Sequence, residues 1–108
     1  MRHGEIWTAA GGVYATKPRP VLIIQDDHFA ATDSVTVIPM TTAAVDAPLL
    51  RIPVEPTPTN GLEQPSQLMV DKVTTTRRSS VHKRLGILAS TDLIRVERSL
   101  LVFLGMGA

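Results

Sequence analysis

Short runs of β-prone apolar residues dominate the chain up to residue 88 and constrain its fold more than any other feature. The run Val21–Ile24 consists of β-branched residues and Leu, which suits a strand buried on both faces. A second strand is predicted at Ser34–Met40, where Pro39 lacks the amide hydrogen of a sheet ladder and is expected at a bulge, an edge or the strand end. Further strands are predicted at Glu5–Ala9, Leu49–Val54, Gln67–Thr74 and Leu85–Leu88.

The segments between these strands carry turn and loop residues. Gly11–Gly12 predicts a hairpin loop over Ala10–Lys17, and Asp26–Thr32 favours a short helical turn. Pro53 indicates a peripheral strand. The segment Glu55–Pro65 holds three prolines and a glycine, which predicts a rigid, extended surface loop.

One helix is predicted at the end of the chain. Apolar residues recur with the helical period from Leu93 to Leu104. Ser90 or Thr91 can cap its start, and Gly105 is placed to end it. Six or seven short strands and one terminal helix predict a mainly β fold with a C-terminal α-helix, built as a small, strongly bent antiparallel sheet or barrel. The 108 residues are expected to form a single domain over residues 1–108.

The composition excludes several classes of site. The chain has no Cys, which excludes disulfide scaffolds, zinc fingers and cysteine nucleophiles. Its three His residues lack metal-ligand spacing, so no metal and no cofactor is expected. No apolar run approaches a membrane span and no signal peptide opens the chain, so we expect a cytoplasmic protein with no membrane contact. A sheet of this size would leave exposed edges, and we expect a homodimer to cover them.

The formal net charge is only +1, yet the charges are segregated along the sequence. Acidic residues gather in Asp26–Asp33, and basic residues gather in Arg77–Arg84, with hydroxyl side chains in Thr74–Ser80. This basic stretch is either a solvated face or a surface that follows phosphates. His82 within it can donate to phosphate, or act as an acid or base near neutral pH.

Arg19 is the first candidate for chemistry. It lies in Lys17-Pro18-Arg19-Pro20, immediately before the buried run. The two prolines fix the backbone around it, and Pro20 holds Arg19 itself in an extended conformation. A guanidinium aimed in this way suits a phosphate, because its planar fork bonds two oxygens at once. The alternative is a charge at the strand end that blocks edge pairing.

Two further candidates lie at strand positions. Thr41 and Thr42 follow the strand Ser34–Met40, where a hydroxyl either orients a phosphate oxygen or is simply a favoured β residue. Strand alternation predicts Asp71 on the same face as Met69, where a carboxylate needs a cation or hydrogen bonds. Asp71 is therefore a general base, the partner that orients Arg19, or a member of a structural ion pair.

These residues fall into blocks that resemble the MazF/PemK toxins. Arg2–Trp7 resembles their R-G-E-I-W start, Arg19–Ile24 their R-P-V-L-[IV]-[IV] strand, and Val37–Thr42 their V-x-P-x-T-[TS] strand end. Gln67–Lys72 falls where the family carries its [AC]-D-Q strand, and Leu85–Leu88 followed by a helix closes the pattern. The resemblance covers nearly the whole chain, with the blocks in the family's order.

The resemblance implies a small SH3-like barrel of the CcdB/PemK kind, assembled as a homodimeric toxin with a cognate antitoxin. The implied activity is metal-independent, sequence-specific cleavage of single-stranded RNA that leaves a cyclic phosphate and a 5′-hydroxyl. Arg19 and Thr41 match the family's catalytic Arg and Thr. Asp71 matches a strand carboxylate that acts as a base or orients the substrate in some members of the family. The residues expected to bind RNA are Lys17, Thr42, Lys72, Arg77, Arg78, His82 and Lys83. An acidic, disordered antitoxin tail is expected to be attracted to the RNA groove and to a positive patch, formed by Arg77, Arg78, Lys83 and Arg84, and to fold on binding.

The sequence also departs from the family pattern. The loop Ala10–Thr16 is shorter than the family's first loop and carries no ionisable side chain except Tyr14. Met69 stands where some members have Arg, and Lys72 replaces the Gln of their D-Q pair, so the resemblance does not assign the general acid and base.

Two other functions are compatible with this fold. A CcdB-like gyrase poison acts through a C-terminal Trp-Gly-Ile, whereas this chain ends in Phe103–Ala108 without Trp. A non-catalytic SH3-like binding module needs a cluster of aromatic residues, and only 4% of this chain is aromatic.

Overall fold

The computed structural model describes residues 1–10 and 17–106. In these residues the chain forms β1 (Glu5–Ala9), β2 (Arg19–Ile23), β3 (Ser34–Thr41), β4 (Arg51–Val54), β5 (Ser66–Met69), β6 (Thr74–Arg77), β7 (Val81–Ile87) and α1 (Ser90–Phe103). Short 3₁₀ turns occupy Asp27–Phe29, Val70–Lys72 and Arg78–Ser80. The predicted hairpin loop falls mainly on residues 11–16, outside the described residues.

The strands form an antiparallel sheet in the order β4-β5-β3-β2-β1-β7, and β6 pairs with β3. Strand β3 pairs with β6 through Ser34–Val37 and with β5 through Met40–Thr41. Pro39 lies opposite Val21 of β2, between the segments that pair with β6 and β5. A residue without an amide hydrogen is tolerated at such a break in the ladder. The predicted mainly β, antiparallel fold with a C-terminal helix is confirmed.

Apolar side chains pack on both faces of the central strands. Because side chains alternate along a strand, Leu22 and Ile38 join one buried cluster with Val96 of α1, and Val21 and Ile23 join a second cluster. Each of these five side chains is at most 1% exposed. Full burial of such a side chain contributes roughly 1.5–3 kcal/mol, so the strand predicted to be buried on both faces anchors the fold.

Helix α1 packs against the 3₁₀ turn Val70–Lys72 and against β4. Its N-cap is Ala89, which offers no side-chain hydrogen bond, so the prediction that Ser90 or Thr91 caps the helix is wrong. The predicted stop is confirmed: Gly105 has φ +75°, and the Met106 amide donates to the Leu101 carbonyl over 2.8 Å. This is the hydrogen bond of a Schellman motif. None of the described residues belongs to a helix long and apolar enough to cross a membrane.

The strand predicted over Gln67–Thr74 is wrong in its second half. Strand β5 ends at Met69, and the Val73 amide donates to the Val70 carbonyl over 3.3 Å, which closes a 3₁₀ turn. Asp71 is therefore not placed by strand alternation, because the two-residue period stops before it. The chain resumes as β6, a strand the sequence pattern did not predict, and the predicted strand Leu85–Leu88 begins earlier, at the first residue of β7.

Candidate active site

A cleft of about 320 Å³ opens at the end of the sheet where β2 begins and β3 ends. This volume lies at the lower end of the range of small-ligand sites. The register that sets Val21 opposite Pro39 brings the first residues of β2 beside the last residues of β3. The polar residues that line the cleft are Thr8, Arg19, Thr42, Glu63, Gln64 and Ser66.

Arg19 is the cation that the sequence predicted at this position. It is the first residue of β2, pairs with Ala9 of β1 and has an exposed side chain. Pro18 and Pro20 line the cleft beside it, so the backbone that aims the guanidinium has little conformational freedom. Within the described part of the chain no acceptor engages this guanidinium, whereas Arg84 donates to a buried carboxylate.

The two threonines at the end of β3 have different surroundings. Thr42 lines the cleft with Arg19. Thr41 is not among the lining residues; it pairs with Gln67 of β5, and its hydroxyl oxygen accepts a hydrogen bond from the Ala43 amide over 3.1 Å. Thr41 thus holds the turn that presents Thr42 to the cleft.

Asp71 pairs with Arg51 rather than with Arg19. Arg51 Nε donates to Asp71 Oδ1 over 3.0 Å, and Nη2 donates to Oδ2 over 3.4 Å. Arg51 lies in β4 opposite Met69, and the Arg51 side chain is 13% exposed. Of the three interpretations of Asp71, this geometry is that of the structural ion pair, and Asp71 is not among the residues that line the cleft.

The side chains of the predicted basic stretch have different surroundings. The Arg78 guanidinium donates to the carbonyl oxygens of Thr32 and Phe29, so it is bound to the acidic segment that the sequence set apart. Arg77 pairs with Ser34 at the start of β3, whereas Thr41 and Thr42 lie at the other end of that strand. The remaining predicted cationic or titratable side chains are exposed: Lys17, Lys72, His82 and Lys83.

The backbones of two of these lysines lie next to residues that line the cleft. The Lys83 amide donates to the hydroxyl oxygen of Thr8 over 3.2 Å, and Thr8 lines the cleft. Lys17 directly precedes Pro18, another lining residue. Cations beside an open cleft attract a phosphate backbone.

Glu5 is a buried carboxylate that the sequence analysis did not single out. Burial opposes its ionisation, but hydrogen bonds from the Arg2 amide, the Arg84 guanidinium and the Trp7 indole outweigh burial and lower the pKa of Glu5 from 4.5 to about 2. The Arg84 Nε to Glu5 Oε2 distance is 2.7 Å. Arg84 is therefore a structural partner of β1 rather than a free phosphate ligand.

Glu63 and Gln64 are lining residues that the sequence analysis did not predict. The prolines around them indicated a rigid loop, but no local signal placed that loop beside Arg19, because the juxtaposition depends on tertiary packing. In residues 1–10 and 17–106 no group of three or more His, Asp or Glu side chains could hold a metal ion.

The chain is similar to known proteins over nearly its whole length. The model of the family described as PemK-like, MazF-like toxin of type II toxin–antitoxin system matches residues 2–104. A relative from Mycolicibacterium smegmatis, named probable endoribonuclease MazF, is 64% identical over 108 residues and covers 99% of each chain. The Mycobacterium tuberculosis toxin MazF-mt6 matches with a TM-score of 0.80 at 25% identity, over 94% of this chain and 97% of that chain. A MazE–MazF structure from Deinococcus radiodurans has a TM-score of 0.80 at 17% identity, over 98% and 96% of the two chains, and shares the fold.

Proposed function

Because the chain belongs to the PemK-like, MazF-like toxins of type II toxin–antitoxin systems, we propose that it is an endoribonuclease that cleaves single-stranded RNA at specific sequences. The observation that carries the proposal is Arg19, fixed between two prolines and open to a cleft that it shares with Thr42. The 64% identical relative named as a probable endoribonuclease supports the same activity. The toxin domain in this proposal spans residues 1–108.

The proposed reaction is an internal transesterification. The 2′-oxygen of a ribose attacks the adjacent phosphorus, a P–O2′ bond forms, and the P–O5′ bond breaks. The 2′-hydroxyl proton passes to a base and the 5′-oxygen receives a proton, so the products are a 2′,3′-cyclic phosphate and a 5′-hydroxyl. Positioning, charge stabilisation and proton transfer suffice for this step, and the proposal assigns no metal to it.

Arg19 contacts the scissile phosphate in this proposal. Its planar guanidinium donates to two non-bridging oxygens, which gain negative charge in the transition state. Thr42 lines the same cleft, and in this proposal its hydroxyl donates to the phosphate or the neighbouring sugar. Thr41, which matches the family's catalytic Thr, supports Thr42 through its hydrogen bond with the Ala43 amide. The family resemblance gives Asp71 a base or substrate-orienting role, and its ion pair with Arg51 outside the cleft lining favours orientation over proton transfer.

The proposal includes two protein partners. A second copy of the chain would cover the exposed end of α1, where large apolar side chains are between 43% and 70% exposed, namely Leu101, Val102, Phe103, Leu104 and Met106. A cognate antitoxin with an acidic segment would bind the cations around the cleft and occupy the RNA path. The site of action in this proposal is the cytoplasm.

The test is cleavage of a pool of single-stranded RNA by the purified protein in EDTA, followed by mapping of both new ends. We expect discrete cuts that leave a cyclic phosphate and a 5′-hydroxyl. Intact RNA, or ends that carry a 5′-phosphate, would refute the proposed reaction. Supercoiling by DNA gyrase, measured with the same preparation, is expected to be unaffected.

A further inference from the structure

The loop between β4 and β5 forms one wall of the cleft, and its shape is fixed by a single buried side chain. Asn60 is 4% exposed. Its Oδ1 accepts hydrogen bonds from the amides of Thr57 and Leu62, each over 3.0 Å, and its Nδ2 donates to the Glu55 carbonyl over 2.8 Å. A buried side chain with this many backbone bonds holds the loop in one conformation.

The same loop is fixed in position against β7. Gly61 has φ +71°, and a Cβ atom there would lie 2.1 Å from the Leu85 carbonyl oxygen. A Cβ atom at Gly86 would lie 2.2 Å from the Thr59 carbonyl oxygen, and the Ile87 amide donates to that oxygen over 3.0 Å. The residues after Gly61 are therefore held at a constant distance from the rest of the cleft.

This rigid wall presents a carboxylate to a site that otherwise suits phosphate. Glu63 lines the cleft with Arg19 and Thr42. A carboxylate repels a phosphodiester, so in a bound RNA it accepts from a ribose hydroxyl or from the donor edge of a base. Of these two, only the base differs from one sequence to another. Pro20, Leu62 and Leu85 supply apolar lining for the ring of that base. Such contacts to splayed bases are how proteins read single-stranded RNA.

The donor pattern of the bases selects one of them. Guanine presents two adjacent donors, N1–H and the N2 amino group, which match the two oxygens of a carboxylate. Adenine and cytosine present one amino donor beside a ring-nitrogen acceptor, and uracil presents one N3–H between two carbonyl oxygens, so each would repel one carboxylate oxygen. We propose that Glu63 reads a guanine next to the scissile phosphate, an inference that rests on the proposed ribonuclease function.

The experiment compares cut sites of the wild type, Glu63→Gln and Glu55→Gln on one randomised single-stranded RNA pool. Glu55 is the matched control, because it is an exposed glutamate of the same loop that lies in a separate depression with Ala89 and Asp92. We expect the wild type to prefer guanine at one position beside the cut by about tenfold or more, as a bidentate base contact provides. Glu63→Gln should lose that preference at this position alone, while Glu55→Gln should retain it.

Each other outcome overturns the inference. A wild-type enzyme that cuts without a guanine preference beside the cut would refute it, and so would a Glu63→Gln variant with an unchanged sequence profile. A rate reduced equally at every sequence by Glu63→Gln would assign Glu63 to proton transfer instead of base reading. In these three cases RNA is still cut, so the proposed function stands; the absence of any cleavage by the wild type would refute both.

Discussion

Glu5 shows how one buried side chain ties the N-terminal strand into the sheet. Its two oxygens accept hydrogen bonds from the Arg2 amide over 2.7 Å and from the Trp7 indole over 3.1 Å, as well as from Arg84 of β7. These donors lower the pKa of Glu5 to about 2 although burial opposes ionisation. The ionised carboxylate therefore stabilises the contact between β1 and β7. Strand β7 in turn packs against the loop that forms one wall of the cleft.

The variant Glu5→Gln is expected to lower the free energy of unfolding at pH 7 by about 2–3 kcal/mol, because a carboxamide cannot accept from every donor and carries no charge. The pKa is lower in the folded state, so the stabilisation is fully present above pH 4.5 and is lost as the pH falls toward about 2. Urea denaturation of the wild type and the variant at several pH values measures this difference.

The control for this prediction is Glu55→Gln, an exposed glutamate whose replacement should change the unfolding free energy by less than about 0.5 kcal/mol. A gap between the wild type and Glu5→Gln that stays constant from pH 7 to pH 2 would show that ionisation of Glu5 contributes nothing to folding.

At the scale of the elements, two glycines have a left-handed backbone, but only one of them is also closely packed. Gly105 has φ +75° and no atom within 4 Å of a Cβ position, whereas Gly61 has φ +71° and lies against the Leu85 carbonyl. Both positions disfavour an L side chain, but only Gly61 also lacks the room for one. The loop wall of the cleft thus depends on a glycine more strongly than the end of α1 does.

We expect Gly105→Ala to cost roughly 1–2 kcal/mol, which is the left-handed strain alone. Gly61→Ala should cost about 3 kcal/mol or more, because the backbone of β7 or the loop must also move. Thermal and urea unfolding of both variants measure these costs. Equal losses for the two variants would mean that the loop moves away from β7 freely, which would contradict a fixed cleft wall.

Local sequence predicted the buried strands but not the elements that tertiary contacts decide. The run in β2 is apolar on both faces, so its burial follows from composition. Val70–Lys72 lies within a stretch whose alternation favours one continued strand, although Asp71 and Lys72 are themselves poor strand residues. The packing of α1 and β4 around it accompanies a 3₁₀ turn instead. Strand β6, a row of threonines, forms because the start of β3 offers it a partner.

The candidate site was predictable to a similar extent. The two prolines marked Arg19 because they act on the local backbone, and the strand end marked Thr41 and Thr42 together. The sequence could not separate these two threonines, since only the folded chain shows that Thr42 lines the cleft while the Thr41 hydroxyl accepts from the Ala43 amide. No local signal marked Glu63 either, because this residue lies far from Arg19 along the chain and meets it only in the folded structure.

At the scale of the whole molecule, the basic side chains divide into those that the protein itself engages and those that stay exposed. Arg51, Arg78 and Arg84 each bind acceptors of the protein itself. Lys17 and Lys83 are exposed beside the cleft. Together with Arg19 these lysines place a small group of exposed cations near the cleft, which suits binding of an RNA backbone.

The binding constant for RNA is expected to fall as the salt concentration rises. In a plot of its logarithm against the logarithm of the salt concentration, each phosphate contact on a single strand contributes a slope of about −0.7. Lys83→Ala should reduce the size of that slope by about 0.7, while Arg98→Ala, an exposed cation on α1, should leave it unchanged. Fluorescence anisotropy with 2′-methoxy RNA, which cannot be cleaved, measures the slope. An equal change in both variants would mean that RNA has no preferred path along the cleft.

The central claim is that Arg19 stabilises the charge on the scissile phosphate. Its most direct test is the single-turnover rate of RNA cleavage at saturating enzyme for the wild type, Arg19→Ala and the surface control Arg98→Ala. For Arg19→Ala we predict a cleavage rate reduced by about 100-fold or more, which is the effect of losing one donor to a developing oxyanion. For Arg98→Ala we predict an unchanged rate. Cleavage by Arg19→Ala at the wild-type rate would contradict the account.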